Sequence, residues 1–355
     1  MPDLSLDQLK QAYDAALEQI AAESFLFQGK GEQAYIDALR RGNNPGADPN
    51  TDDLPGKLRM TLEQAQAFES RYIIIDAYQN DATGFSAVAL RDTATPNRVV
   101  IAVRSTEINN DRARDVYGAD AQIFFNGFAF DQILSAQDFL ARVQPQLLPG
   151  EKISLVGDSL SGNVVRTLAA MYPDVINQSS GSNVVFNATG LGQFTDPTGQ
   201  NRPRNVVLQE MMSLYRQVED DPTSVADTPF PLQPLRLAAI AAAPVNRANA
   251  DGNVYPSPRN DFAEAYVQNK YSTFYSTTKP LLPMGAVLNV TGYSLGAHLA
   301  TVFTELHGFE TNTAFSFGHT YAFNGPGRGT FNVAFPSKPV EVQLMRAMSA
   351  ERMAA

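Results

Sequence analysis

Two stretches of this chain share one order of elements: an apolar strand, a Gly-x-Ser-Leu turn, an amphipathic helix and a second strand. The first covers residues 153–190 with Ser159 in the turn, and the second covers 287–327 with Ser294 in the turn. A helix between two strands is long enough to return the chain to the same end of a sheet, so such strands pair in parallel. The sequence therefore predicts an α/β fold with a mostly parallel sheet flanked by helices. An internal duplication and the general likeness of any two βαβ units both remain open as explanations.

Capping patterns and hydrophobic periodicity predict the remaining elements. Ser/Thr-x-x-Gln boxes followed by helical periodicity predict helices over 5–20 and 61–78. Val99–Val103 is a continuous apolar run, which is typical of a buried central strand. Further elements are predicted as a strand over 84–91 and helices over 128–143, 206–218 and 262–269.

The whole chain, 1–355, is predicted to form a single domain with a long insertion. Residues 193–283 are rich in Pro, Asn and Asp, and they separate two groups of sheet elements. A stretch of this length usually forms a lid, a cap or a substrate-binding insertion. An irregular surface excursion is the alternative.

Composition excludes several classes of function. The formal net charge of −10 disfavours nucleic acid as a partner, because phosphates require a basic surface. The chain has no cysteine and only three histidines, so we expect no metal site. No signal peptide or transmembrane segment is evident, which indicates a soluble protein. It could be cytoplasmic or secreted by a route without an N-terminal signal.

The pentapeptide Gly-Tyr-Ser-Leu-Gly at 292–296 makes Ser294 the first-choice nucleophile. In a sharp strand-to-helix turn, small neighbours let the chain pack closely while the serine hydroxyl projects above the sheet. The amide of Leu295 would then be one donor to the oxyanion.

This region resembles the nucleophile elbow of the class 3 lipases. The string Val-Thr-Gly-Tyr-Ser-Leu-Gly-Ala-His-Leu-Ala at 290–300 is similar to the family's Thr-Gly-His-Ser-Leu-Gly-Gly-His-Leu-Ala. Residues 84–87 and 99–107 resemble its upstream strands, and Phe-Asn-Gly-Pro-Gly at 323–327 resembles its strand exit. The resemblance implies an α/β-hydrolase fold and a serine ester hydrolase that needs no cofactor and acts on lipid or other acyl esters. Arg104-Ser105-Thr106 stands where the family has its oxyanion segment, which implies Thr106 as the second donor. The departures are Tyr293, Ala297 and Ser105.

The acid and base of a triad are missing after Ser294. Hydrolases of this fold place Asp or Glu and then His after the nucleophile. No aspartate follows Ser294, and the carboxylates beyond it are Glu305, Glu310, Glu341 and Glu351. The three histidines are His298, His307 and His319. Each is placed on or beside the elbow helix or the next strand, where a structural role is expected.

Ser159 is the rival nucleophile, in Gly-Asp-Ser-Leu-Ser-Gly at 157–162. Its acid could be Asp196, Asp220, Asp221 or Asp227, and all three histidines follow in the required order. The string also resembles the first block of the GDSL esterases, although the late Asp-x-x-His of that family is absent. The alternative of another class is a catalytically incomplete hydrolase-fold protein: a fragment of a longer enzyme, or a pseudoenzyme that acts as a binding module.

Overall fold

The chain divides into two compact units, Met1–Ser276 and Thr277–Ala355, and each is described by itself. The structure is a computed structural model. It describes residues 6–24, 26, 31–44, 48–50, 59–78, 83–105, 119–179, 181–186, 188, 192–242, 258–273, 286–293, 300–301, 304 and 315–323.

The first unit is built on a five-stranded sheet with the order β1-β2-β3-β4-β5. The strands are β1 Tyr72–Tyr78, β2 Ala87–Asp92, β3 Arg98–Val103, β4 Lys152–Asp158 and β5 Val184–Phe186. β1 and β3 both run antiparallel to β2, whereas β4 runs parallel to β3 and to β5. The sheet is therefore mixed, which corrects the prediction of a mostly parallel one. The links on either side of β2 are too short to hold a crossover helix, so these strands form hairpins.

Helices cover both faces of this sheet. Their bounds are α1 Leu6–Glu23, α2 Glu32–Arg41, α3 Leu62–Arg71, α4 Ala121–Asn126, α5 Phe130–Val143, α6 Leu160–Met171, α7 Arg204–Asp220, α8 Gln233–Ala241 and α9 Pro258–Tyr271. None of the helices described is long and apolar enough to cross a membrane.

β3 lies at the centre of the sheet, as its apolar run predicts, and it is buried on both faces. Val99, Ile101 and Val103 pack with α5, α6, α7 and α9. Val100 and Ala102 pack with α1, α2 and α3 on the other face. This alternation follows from the two-residue period of a strand. The result is three layers: helices, sheet, helices.

The segment predicted as an insertion contributes helices to the core. Within 193–242 and 258–273, α7 and α9 place buried apolar side chains in the cluster on one sheet face, including Met211, Tyr215, Phe262 and Val267. The described part of this segment is therefore a packed helical layer and not an irregular excursion. Its role as a lid or cap stays a prediction.

α3 begins where its capping pattern predicts, but it ends seven residues early. The Thr61 hydroxyl accepts from the Gln64 amide, and the Gln64 side chain accepts from the Thr61 amide. The predicted helix over 61–78 is wrong beyond Arg71, because Tyr72–Tyr78 is strand β1. This run is rich in β-branched and aromatic residues, and its pairing with β2 outweighs the helical pattern.

A partly buried network of ion pairs lies beside the start of β1. Arg71 binds Asp92 with two nitrogens at 2.9 and 2.8 Å, and Arg98 contacts both Asp92 and Glu18 of α1. Burial alone would raise the pKa of Asp92, but the hydrogen bonds from Arg71 and Thr95 lower it to about 2. Ion pairs therefore connect α1 and α3 to β2 and β3.

In the second unit the structure describes one parallel pair of strands, β6 Ala286–Tyr293 and β7 Phe315–Phe323. Ala300, Thr301 and Thr304, between them in the chain, are helical. This arrangement is the strand–helix–strand order predicted from the repeat. Both explanations of the repeat, an internal duplication and the general likeness of βαβ units, predict such a parallel unit.

Candidate functional site

Ser159 occupies a strained turn between β4 and α6. Its backbone angles are φ 52° and ψ −119°, although it is not a glycine. These angles match the first central position of a type II′ turn, which glycine dominates because a Cβ atom is unfavourable there. Holding a residue in such a conformation lowers the stability of the fold by about 1–3 kcal/mol, and residues of this kind cluster at functional sites. The strand-to-helix turn expected of a nucleophile elbow is thus present at Ser159.

Hydrogen bonds from three sides hold this turn. The Ser159 amide donates to the Phe186 carbonyl at the end of β5, at 2.9 Å, and the Ser159 carbonyl accepts from the Gly162 amide at 3.1 Å. Ser161, at the position of the second glycine in a Gly-x-Ser-x-Gly pattern, uses its hydroxyl within the turn. That hydroxyl accepts from the Asp158 amide at 2.8 Å and donates to the Asp158 carbonyl at 2.9 Å.

Two glycines leave room for the close packing of the turn. A Cβ atom on Gly157 would lie 2.8 Å from the Ser161 carbonyl oxygen and from a Val165 methyl group. A Cβ atom on Gly162 would lie 2.9 Å from the Cα atom of Ala188 and would overlap its methyl group. Gly162 therefore provides the close approach that the sequence pattern assigns to the position of Ser161.

The backbone around Ser159 suits a developing negative charge. α6 begins at Leu160, directly after Ser159, and the first amides of a helix have no partner within the helix. They also lie at the positive end of the helix dipole. Leu160 is the residue after the serine, and in α/β-hydrolases the amide of that residue is one of the oxyanion donors.

Asp158 is a buried carboxyl group next to the turn. It is only 5% exposed, and its Oδ1 atom has no hydrogen-bond partner among the residues described. Burial, with the nearby negative charge of Glu23, raises the pKa of Asp158 to about 7. Asp158 is therefore largely protonated below neutral pH, where an ordinary aspartate is charged.

Glu23, at the end of α1, contacts the segment that follows β3. Its Oε1 atom accepts from the Ser105 amide and from Gln19 Nε2, both at 2.9 Å. Its Oε2 atom lies 3.5 Å from Arg104 Nε. Because Val103 pairs with Gly157 across the parallel strands, Ser105 and Ser159 leave the sheet at the same edge. Since the Ser105 amide is already bonded to Glu23, it is not available as an oxyanion donor.

For several predicted site residues, the structure gives no position. Ser294, Leu295, Thr106, His298 and His307 lie outside the described residues, as do Glu305, Glu310, Glu341, Glu351 and the exit at 324–327. His319 lies within β7, where its backbone alone is described. In the part of the chain that the structure describes, no side chain hydrogen-bonds the Ser159 hydroxyl.

The four acids proposed for Ser159 have other partners or stay on the surface. Asp196 pairs with Arg202 at 2.9 Å, and those hydrogen bonds lower the pKa of Asp196. Asp221 caps a short 3-10 turn by accepting from Thr223, and Asp227 accepts from the Tyr266 hydroxyl. Asp220 is exposed at the end of α7. The acid of a triad binds the histidine, and the histidine side chains lie outside the described residues.

A second polar cluster is buried between α4, α5, α7 and α9. Asp131 accepts from the Tyr215 hydroxyl at 2.7 Å and from Gln122, and Gln122 also donates to Glu264 at 2.8 Å. Burial and the nearby Asp131 raise the pKa of Glu264 to about 8. Asn260 donates to both Asp131 and Tyr215. No local sequence pattern indicates this cluster, because its members are separated by up to 142 residues.

A cavity of about 490 Å³ lies elsewhere in the first unit. It is lined by residues of α1 and by the starts of the strands, including Lys10, Arg98 and Ser154. Ser159 follows the opposite end of β4, so this cavity is not its binding pocket. Within the described ranges, no group of three or more His, Asp or Glu side chains is arranged to hold a metal ion.

Comparison of the chain with protein-family models, with curated proteins and with solved structures finds no match.

Proposed function

We propose that this protein is a serine ester hydrolase in which Ser159 is the nucleophile. The observation that supports it most is the strained backbone of Ser159 in the turn between β4 and α6. A serine gains nothing structurally from that conformation, which glycine adopts at lower cost. Ser159 is also partly exposed, whereas its neighbours Asp158 and Leu160 are buried. An α/β-hydrolase-like fold is part of the same proposal, whereas the resemblance to the class 3 lipases rests on the sequence around Ser294.

The proposed reaction is acyl transfer in two steps. The Ser159 hydroxyl oxygen attacks the acyl carbon while a base takes its proton, and the negative oxygen binds the Leu160 amide. The alcohol leaves with that proton, and water then releases the acid from the acylated serine. No residue is assigned as the base that takes this proton. The substrate class is an acyl ester, of a lipid or a smaller alcohol.

A catalytically incomplete hydrolase-fold protein is the second candidate. The observation that favours it is that three of the four acids considered for Ser159, namely Asp196, Asp221 and Asp227, already bind other residues. Such a protein would keep the turn and bind acyl compounds without cleaving them.

Labelling with a fluorophosphonate separates these candidates. The whole chain is incubated with the reagent, digested and mapped by mass spectrometry, with Ser159→Ala and Ser294→Ala as matched variants. We expect one adduct, on Ser159, that Ser159→Ala abolishes and Ser294→Ala preserves. An adduct on Ser294 would refute Ser159 as the nucleophile while keeping the hydrolase class. A folded protein that forms no adduct would favour the incomplete candidate.

A further inference from the structure

The cavity of about 490 Å³ in the first unit has a strongly polar lining. Its walls come from the first half of α1, the end of α3, the link between β2 and β3, the starts of β3, β4 and β5, and the segment that precedes β5. Apart from Ala94, Pro96, Gly181 and Val184, every lining residue described carries a charged or polar side chain. Sites for small molecules have volumes of about 300–1,000 Å³, so this cavity is large enough to hold one. The chemistry of its lining then determines the class of molecule.

Two arginines of the lining are held in place by ion pairs. Arg71 binds Asp92 through Nε and Nη2, and its Nη2 atom also lies 2.9 Å from Asp14. Arg98 donates to Glu18 through both Nη atoms and to Asp92 at 3.2 Å. These contacts use three of the five N–H groups of each guanidinium, which leaves two on each outside the ion pairs. Because the ion pairs already fix both side chains, a ligand that binds them orders no further rotamers.

The charges around the cavity nearly cancel. When ionised, Asp14, Asp92 and Glu18 together carry one negative charge more than the two guanidinium groups that they bind. Lys10 and Asp7, both exposed on α1, add one charge of each sign. An anionic ligand such as phosphate would therefore meet no excess of positive charge, which disfavours it. An apolar ligand would bury these charged groups without compensating hydrogen bonds, which disfavours it more strongly.

One buried hydroxyl group lines the cavity between α1 and β4. Ser154 is 1% exposed, and it lies on the same face of β4 as Val156, which packs with α1. Its hydroxyl can both donate and accept a hydrogen bond. Pro96 and Val184 add small apolar surfaces to the same lining. The lining thus combines fixed donors, carboxylate acceptors, a buried hydroxyl and a few apolar contacts.

We propose that this cavity is a binding site for a small neutral polyol, of the size of a mono- or disaccharide. Each hydroxyl group of such a ligand both donates and accepts, so it can bond to the guanidinium groups and to the carboxylates of the lining. The C–H groups of the ligand can contact Pro96 and Val184. The site lies at the end of β4 opposite Ser159, and the inference does not depend on the proposed hydrolase activity.

Direct titration of the whole chain tests this inference. Glucose, galactose and maltose are the probes, and isothermal titration calorimetry measures their binding. We expect at least one of them to bind with one-to-one stoichiometry and a Kd of about 1 mM or lower. The melting temperature is not a suitable readout, because sugars at high concentration stabilise folded proteins through exclusion from their surface.

Two variants locate the bound probe. Ser154→Ala removes the buried hydroxyl and should weaken the binding about fivefold, as expected for the loss of one hydrogen bond. Lys10→Met removes a charged donor and should weaken the binding about tenfold. The matched controls are Ser213→Ala on α7 and Lys270→Met on α9, which alter exposed residues outside the described lining. Both controls should leave the Kd unchanged.

Every outcome of these titrations supports or overturns the inference. Failure of all three sugars to bind the wild-type protein would refute it. Inorganic phosphate, titrated in parallel, would overturn the neutral class of ligand if it bound more tightly than each sugar. A Kd that is the same in wild type, Ser154→Ala and Lys10→Met would place the probe outside the cavity and overturn the site. If Ser154→Ala does not fold, Lys10→Met decides, because the Lys10 side chain is exposed and its loss leaves the core intact.

Discussion

Ser159 has a backbone conformation that lowers the stability of the fold. Because its φ of 52° is unfavourable for any residue with a Cβ atom, Ser159→Gly should raise the free energy of unfolding by about 1 kcal/mol. Ser159→Ala retains the Cβ atom and the strain, so its stability should match that of wild type. Urea unfolding of the three proteins measures the difference. A Gly variant no more stable than the Ala variant would show that the turn is unstrained.

The residues of the site differ in how well the sequence predicts their structural roles. The pattern around Ser159 is local, so the strand, turn and helix were predicted from adjacent residues. The sequence does not show that Gly162 is the close-approach glycine, since its contact with Ala188 spans 26 residues. Glu23 has no local pattern at all, because an acidic residue near a helix end is ordinary and its partner Ser105 lies 82 residues away.

At the scale of elements, the buried polar cluster around Glu264 should make the packing of α9 sensitive to pH. The carboxyl group is buried against α4 near Asp131, which raises its pKa in the folded protein to about 8. An unfolded glutamate ionises near pH 4.3. The folded state therefore binds this proton more tightly, and stability falls as the pH rises between those values.

Glu264→Gln should remove that dependence. The amide keeps the shape of the side chain without the charge, so the variant should be about 2 kcal/mol more stable than wild type at pH 9. The two proteins should be nearly equally stable at pH 5. Thermal or urea unfolding across this range measures the difference, with the exposed Asp174→Asn as the control. A difference that stays constant from pH 5 to pH 9 would contradict the prediction.

The helices and strands predicted best are those whose type and position depend on a single local sequence pattern. The start of α6 follows from the Gly-x-Ser-Leu turn before it, and the burial of β3 follows from its apolar run. The start of α3 follows from its capping box, but its end does not, because Tyr72–Tyr78 becomes a strand only through its pairing with β2. Arg71 and Asp92 then anchor that boundary with an ion pair between residues 21 positions apart.

At the scale of the whole molecule, the sequence predicted the α/β class but not the mixed sheet. An alternation of strands and helices predicts parallel pairing only for those strands that a helix connects. The links on either side of β2 contain no helix among their described residues, and the strands there form hairpins. Residues 193–283 are predicted as an insertion, whereas α7 within this segment packs against α5 and α6. No local pattern reveals these contacts.

The mixed sheet has a consequence for the order in which the protein folds. Its antiparallel pairs join residues no more than 20 positions apart, whereas β3 and β4 pair across 54 positions. Closing the longer loop costs more entropy before any contact forms, so β1–β3 should assemble first. In pulse-labelled hydrogen exchange during refolding, the amides of β2 should be protected before those of β5, and simultaneous protection would contradict this order. The Ser159 turn needs both β4 and β5, and it should therefore be among the last parts of the first unit to form.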